Sequence, residues 1–496
     1  MKKINLQNNN KFLNGYLVIQ VLIFGAIGIL ILSGLLIFMD ENIKSTNRDL
    51  MRVKALAVAE AGYEYYRFHL SKAPSDYYDG NGATSTGPYI HELKDKSGNL
   101  LGNFSLNIIP PTASGTTLVN IQSTGNVIQS PNILKTVQTK MSLPSLTKYS
   151  FITNSPLYFT DGTEVFGQVH SNRGVRFDGL AHNLVTSSIS TFNDPTHSGS
   201  DEYGVHTHKG TDDPLPPNTL PTRSDIFTVG RQFPVPAVDF NGITQTLASL
   251  KSSAQNSGIY FPKLTDGSAG YEIILKTNGT FDLYKVLDQA GQPDTCKNYS
   301  YKKDWKSWST GNRTFLRNYT NPTNGIVFIE DDVWVSGQIN NTHLTIASAV
   351  FPVNISTYTN ITVNNDLIYT NYDGRDVIGL IAQNNILVGM NSKDNLRIDG
   401  VLVAQNGGVN RYEYQNPTQD VNGNNNQDNC FNSYKKNTIT TYGMIISNKP
   451  YGFSYSNGNG YTTKNLNYDK NLLSNTPPGF ILTNEPYTTL SWEETR

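Results

Sequence analysis

The side chains able to do chemistry are few and scattered. The densest oxygen-rich run is Asp420-Val-Asn-Gly-Asn-Asn-Asn-Gln-Asp428, which sets Asp420, Asn422, Asn424 and Asp428 at alternating and distal positions of one loop. Side-chain oxygens spaced this way around a turn, with Gly423 relaxing the backbone, can wrap a hard cation such as calcium. Phe431 stands where a bidentate glutamate would close the site. The loop therefore reads either as a weak calcium site suited to extracellular concentrations or as a solvated Asn-rich turn. His206-Thr-His208 puts two imidazoles on one face of an extended segment, with His170, His182 and His197 upstream. Zinc requires one or two further ligands, and the surrounding Ser, Gly, Asp and Pro read as exposed loop. Glu330-Asp331-Asp332 and Arg375-Asp376 offer carboxylates for acid–base cleavage of glycans. Lying between Ile329 and Val333, the first cluster reads more simply as a solvated turn between strands. No Gly-x-Ser-x-Gly, phosphate-binding Gly-Lys loop or His-Glu-x-x-His occurs. The expectation is a protein that is not an enzyme. Cys296 and Cys430, the two cysteines of the chain, allow one bridge outside the cytoplasm, which spacing alone does not establish.

Composition narrows the setting. Across 496 residues, 39 basic side chains face 40 acidic ones and charged residues make up 16%, so no net field draws the chain to nucleic acid. With 21 Phe and 28 Tyr the chain can bury a core, which excludes wholesale disorder. Polarity comes from Asn, Gly, Ser and Thr, a composition of β-rich, turn-rich extracytoplasmic proteins.

The N-terminus carries the clearest signal. Lys2, Lys3 and Lys11 precede a run from Tyr16 to Met39 with no charged residue, and Asp40-Glu41 follow it. At about 1.5 Å per residue such a helix spans the ~30 Å hydrocarbon layer, and the flanking charges set the N-terminus in the cytoplasm and the remainder outside. A cleaved secretory signal would have a shorter apolar region and a small-residue cleavage site. Beyond the span, Leu50, Val53, Ala57, Ala61, Tyr65 and Phe68 recur at spacings of three and four, an amphipathic stripe that predicts the helix continues to about Lys72. The run Lys54-Ala-Leu-Ala-Val-Ala-Glu-Ala-Gly-Tyr63 is rich in small residues that permit close helix approach.

A basic polar leader ending in Gly15, an aromatic Tyr16 and an unbroken apolar helix together resemble a type IV prepilin, and Ala59-Glu60-Ala61-Gly62 resembles the signature of PilX-type pilus assembly proteins. The resemblance implies cleavage of the Gly15–Tyr16 bond by a prepilin peptidase, and packing of the apolar helix first in the membrane and then among pilin-like subunits. Gln20 stands where the family carries a glutamate that pairs with a neighbouring subunit's amine, so the assembly contact lacks its charge.

Downstream, Asn103–Ile109, Thr117–Ser123 and Ile133–Met141 alternate with period two and predict a small antiparallel sheet. From Tyr149 a short apolar strand ending in a polar residue and Asn recurs, at Asn154, Asn172, Asn384, Asn406 and Asn448. Short strands also lie at Ile326–Ile329, Val333–Val335, Leu344–Ala347, Ile361–Val363, Leu367–Tyr369 and Leu396–Ile398. A recurrence near 20 residues predicts stacked coils of a parallel β-helix or solenoid, a β-sandwich being the alternative. Asn suits the corners because it tolerates left-handed backbone and its amides can ladder between coils. The expected fold class is α+β: leader 1–15, transmembrane helix 16–72, pilin-like head 73–145, solenoid 146–180 and 321–450, insertion 181–320 with a helix at Ile243–Gln255, and C-terminal tail 451–496. The expected function is a non-enzymatic minor or tip subunit of a pilus-like filament, presenting the β region for assembly or for binding a surface glycan or protein receptor. The alternatives are an anchored adhesin outside any fibre and a surface polysaccharide-active enzyme.

Overall fold

The computed structural model describes residues 13–82, 85, 87–111, 117–143, 145–195, 199–240, 242–291, 307–414, 435–455, 458–480 and 486–495. It divides into two compact units: Met1–Ile109 with Val119–Met141 and Thr489–Arg496, and Pro110–Leu118 with Ser142–Thr488. The class is α+β. The proposed calcium residues Asp420, Asn422, Asn424 and Asp428, the pair Cys296 and Cys430, and His197 lie outside the described residues.

The first unit is one long helix, α1 (Leu13–Lys72), against an antiparallel sheet of β1 (Tyr89–Lys94), β2 (Leu100–Ile109), β3 (Val119–Val127), β4 (Ser130–Ser142) and β5 (Thr488–Thr495), hydrogen-bonded in that order. The three period-two runs become β2, β3 and β4. β1 and β5 lie outside those three runs, β5 within the expected C-terminal tail. The face of α1 that packs is also not the predicted stripe. Ala55, Val58, Ala59, Tyr63, Tyr66 and Leu70 are buried, whereas Leu50, Val53, Tyr65 and Phe68 are exposed. The physical reason is close approach. A Cβ at Gly125 on β3 would overlap the backbone nitrogen of Ala59 and come within 2.5 Å of the Ala55 carbonyl, and one at Gly62 would overlap Ser123 Oγ. Backbone meets backbone here, so the helix turns its small residues inward and leaves a bulky apolar stripe outside.

The second unit is built largely from short strands paired in parallel, in three long rows and one shorter one. In the first, Ile259, Val327, Ile346, Leu380, Leu402, Ile445, Phe151, Val169 and Val185 follow one another as register partners. Val333, Ile361, Ile386 and Val409 do so in the second, and Leu367, Ile398, Thr441, Leu466, Val165 and Ala181 in the third. Stacking like on like aligns β-branched and aliphatic side chains into one continuous core. The alternate residues of the first row, among them Phe328, Ala347, Ile381, Val403, Ile446 and Ile152, face the other way and join a second cluster with Leu247, Leu250 and Ala254 of the helix Gly242–Ser257.

This order corrects the expected insertion at 181–320. The chain enters the first row at Tyr149–Thr153, beside Lys435–Ser447, and steps away through Gln168–Ser171, Val185–Ser187 and Arg231–Gln232. It restarts at the opposite end with Ile259–Phe261 and returns to its own entry strand. The stretch between Gln232 and Ile259 is therefore a crossover running back along the stack, and its helix covers the outer face of the row it passes. Gly270–Leu275, Thr280–Val286 and Arg313–Thr320 add an antiparallel extension.

The corner asparagines act through their amides. Asn172 Nδ2 donates to Asn154 Oδ1 (2.9 Å), and Asn154 Nδ2 donates to Asn448 Oδ1 (2.9 Å). Asn448 and Asn406 Nδ2 donate to the carbonyls of Gln405 (2.6 Å) and Gln383 (2.7 Å). None of these asparagines has positive φ, so left-handed backbone tolerance is not the property used.

Candidate functional site

The apolar half of α1 is exposed along its whole length, from Tyr16 at 66% to Met39 at 59%, and is long and apolar enough to cross a membrane. Gly15 and Tyr16 lie within the helical backbone, and Gln20 is exposed on it one turn further on.

The carboxylates considered for acid–base work all accept hydrogen bonds from neighbouring groups. Glu330 accepts from Tyr260 Oη (2.5 Å) and pairs with Lys251. Asp331 accepts from the Leu264 and Asp332 amides at 3.0 and 2.9 Å, and Asp332 from the Asn360 amide at 2.7 Å. Asp376 is 1% exposed and caps the amides of Thr342, Thr370 and Asn371. The expected solvated turn is thus a knot of backbone hydrogen bonds, because parallel strands leave corner amides that need acceptors. Tyr319 packs against Phe281 and Phe261, and Trp308 against Tyr412, while Phe315 is exposed beside Tyr284.

Two further buried acids have a pH consequence. Asp399 accepts from Tyr372 Oη (2.7 Å), the Tyr369 amide (3.0 Å) and Arg397 Nε (2.9 Å). Asp469 accepts from Tyr442 Oη (3.1 Å) and the Asn471 amide (2.9 Å). Burial raises both carboxyls above the usual range. The folded state then holds these protons to higher pH than the unfolded state. Their stabilising contribution is complete below about pH 4 and is lost as pH rises through the folded values. Urea midpoints of Asp399→Asn/Asp469→Asn should accordingly fall less than wild type as pH is raised from about 4 toward neutral. Parallel profiles for the two proteins would refute the assignment.

The histidines divide. His170 is buried, bonded to Thr186 Oγ1 (2.9 Å) and Asn172 Oδ1 (3.0 Å), and burial lowers its pKa. His182 stacks on Phe166 and pairs with Glu164 at 3.0 Å. Neither joins the His206-Thr-His208 pair, whose company comes from nearer in the chain. Thr191–Phe192 and Glu202–Tyr203 form a two-stranded antiparallel ribbon, and Val205–His206 pairs in parallel with Val175–Phe177. This places Asp194, Glu202, His206 and His208 so that one ligand atom of each lies within 4.8 Å of all the others. His206 Nε2 is 2.8 Å from Glu202 Oε2 and 3.6 Å from Asp194 Oδ2; His208 Nε2 is 2.6 Å from Glu202 Oε1. His206 is 1%, Asp194 2% and Glu202 4% exposed, so the expectation of exposed loop fails here.

No protein-family model and no curated protein matches the chain. Among solved structures, the competence-associated pilin ComZ from Thermus thermophilus aligns over 90% of this chain and 98% of its own, at 12% identity and a TM-score of 0.28. That likeness is too weak to carry the fold.

Asp194 and Glu202 are the members of this cluster that the sequence reading missed. Glu202 lies four residues before His206, and a Glu-x-x-x-His-x-His spacing with a nearby Asp was the available signal. What hid it was a setting of Gly, Ser and Pro, which reads as solvent-facing when the ribbon's packing is unknown.

Proposed function

We propose that the chain is a non-enzymatic, membrane-anchored minor or tip subunit of a type IV pilus-like surface filament, with a parallel β-solenoid as its extracytoplasmic body. The observation that carries this reading is α1. A single helix of 60 residues has an apolar half exposed all round and a second half that buries one face on a sheet. Leu50, Val53 and Phe68 stay exposed on that second half. An apolar strip continuing from lipid into the sheet-bound segment fits successive burial in a bilayer and then against other subunits' helices. The three in-register parallel rows support the solenoid, a body suited to presenting a surface to a glycan or protein receptor. Parallel strands stacked side by side need no active site to be useful.

On this reading a prepilin peptidase cuts between Gly15 and Tyr16 on the cytoplasmic side. Mass spectrometry of the membrane-derived protein should find an N-terminal peptide beginning at Tyr16, and Gly15→Val should leave Met1 or Lys2 at the terminus. Intact termini in the unaltered chain would defeat the proposal. Gln20 favours a second reading, an anchored adhesin that never enters a fibre, because a neutral amide cannot form the charged contact with a neighbour's amine. Recovery of the mature protein only in the membrane fraction, and never in sheared filaments, would select it.

A further inference from the structure

We infer that Asp194, Glu202, His206 and His208 form a structural site for a first-row divalent transition-metal ion, zinc foremost. The donor set is two imidazole nitrogens and two carboxylate oxygens, a combination zinc takes in four-coordinate sites and that calcium and magnesium do not favour. Bonds of about 2.0–2.1 Å to a tetrahedral ion put ligand atoms roughly 3.3 Å from one another. The separations here, from 2.6 Å to no more than 4.8 Å, bracket that value.

Hydrogen bonding at His206 gives the second, independent reason. Its Nδ1 lies 2.9 Å from the Tyr203 carbonyl, which can only accept, so Nδ1 carries the proton and the neutral ring presents a lone pair at Nε2. That lone pair is aimed at carboxylate oxygens of Glu202 and Asp194, and Nε2 is fully buried with no hydrogen-bond partner among the described residues. Electron pairs facing one another in a dry setting call for a positive centre between them. A proton on Nε2 would supply it at one position. A divalent ion satisfies all four donors at once.

The outer contacts are those of a metal site. The Tyr203 carbonyl fixes the His206 tautomer and ring plane, as second-layer acceptors do for metal-bound histidines. The His208 amide donates to Asp178 Oδ1 at 2.7 Å, and Arg176 spans Asp178 (2.7 Å) and Asp194 (3.5 Å). The ion would fasten the ribbon Thr191–Phe192/Glu202–Tyr203 to the strand Val205–His206, at the end of the short parallel row through Val175–Phe177 and Leu157–Phe159.

The test uses the full-length chain in detergent, stripped with chelator and reloaded with Zn²⁺ or Co²⁺. The expected result is one zinc per chain by elemental analysis, visible Co²⁺ bands of tetrahedral intensity, and an unfolding midpoint raised by zinc. Glu202→Gln and His208→Ala should lose zinc retention with the far-UV circular dichroism unchanged, while His182→Ala should keep it. A folded wild-type chain that retains neither ion overturns the inference. So does equal retention by wild type, Glu202→Gln and His208→Ala, which would place any bound metal elsewhere. The cobalt spectrum of the wild-type chain decides the matter even if a variant does not fold.

Discussion

Gly125→Ala is expected to lower the stability of the helix–sheet unit by about 3 kcal/mol, the upper end of what overpacking costs. A single added carbon would overlap the Ala59 nitrogen and lie within 2.5 Å of the Ala55 oxygen. Those atoms belong to a hydrogen-bonded helix and have no rotamer to change. The helix must move off the sheet, loosening Val58, Tyr63 and Tyr66 together. Gln122→Ala, an exposed change on the same strand, should stay within about 0.5 kcal/mol of wild type. Hydrogen exchange of the amides between Ala55 and Leu70 measures the difference. Equal protection in the two variants would show that close approach of α1 and β3 is not what holds the unit.

The second large effect is expected at Arg411, a guanidinium with no exposed surface. It donates to the Gly389 and Met390 carbonyls and to Ser392 Oγ, and sits between Tyr414 and Tyr461, 4.9 and 5.6 Å from their ring centres. Burial pushes its pKa down. A buried charge is often no better than a packed apolar residue, so the sign has to be argued. Arg411→Met fills much of the volume but supplies no donor. Two carbonyls and a hydroxyl then lose a charged partner in a dry core, at about 1–3 kcal/mol each before relaxation. A net loss of about 3–5 kcal/mol is expected. Arg411→Lys should fall between, since it keeps the charge but not the planar stack. Chemical denaturation of the three proteins orders them, and a methionine variant as stable as wild type would overturn the assignment.

Period and composition made much of this chain legible. The uncharged run from Tyr16, the alternation in β2, β3 and β4, and the short apolar words at Ile326, Leu344 and Leu396 all mark elements that are present. What pattern could not supply was partnership. Leu50 and Phe68 have the spacing of a buried stripe, yet Ala55, Ala59 and Gly62 take the sheet, because hydrophobic spacing says nothing about how closely two backbones can come. Thr488–Thr495 looked like a tail because its partner strand lies more than 300 residues earlier. The region 181–320 looked like an insertion for a related reason. Strand order along the stack is not chain order, and the helix expected at Ile243–Gln255 gave no sign that it runs back along the stack. At the buried His206/His208 cluster the two histidines were visible in the sequence, whereas Asp194 and Glu202 needed the fold of the ribbon.

The fifth strand has a consequence for how the chain is made. Synthesis delivers α1 and the first four strands, then several hundred residues of the other unit, before β5 can pair with β4. At roughly 5–20 residues per second, β4 would wait tens of seconds with its backbone unpaired on one side. Such a margin invites other chains. Lys135 and Lys140 lie on β4, and charges of that kind discourage intermolecular pairing during the wait. When Glu494 arrives it takes Lys135 as its partner, so a side chain that guards the nascent edge becomes part of the seam that closes it.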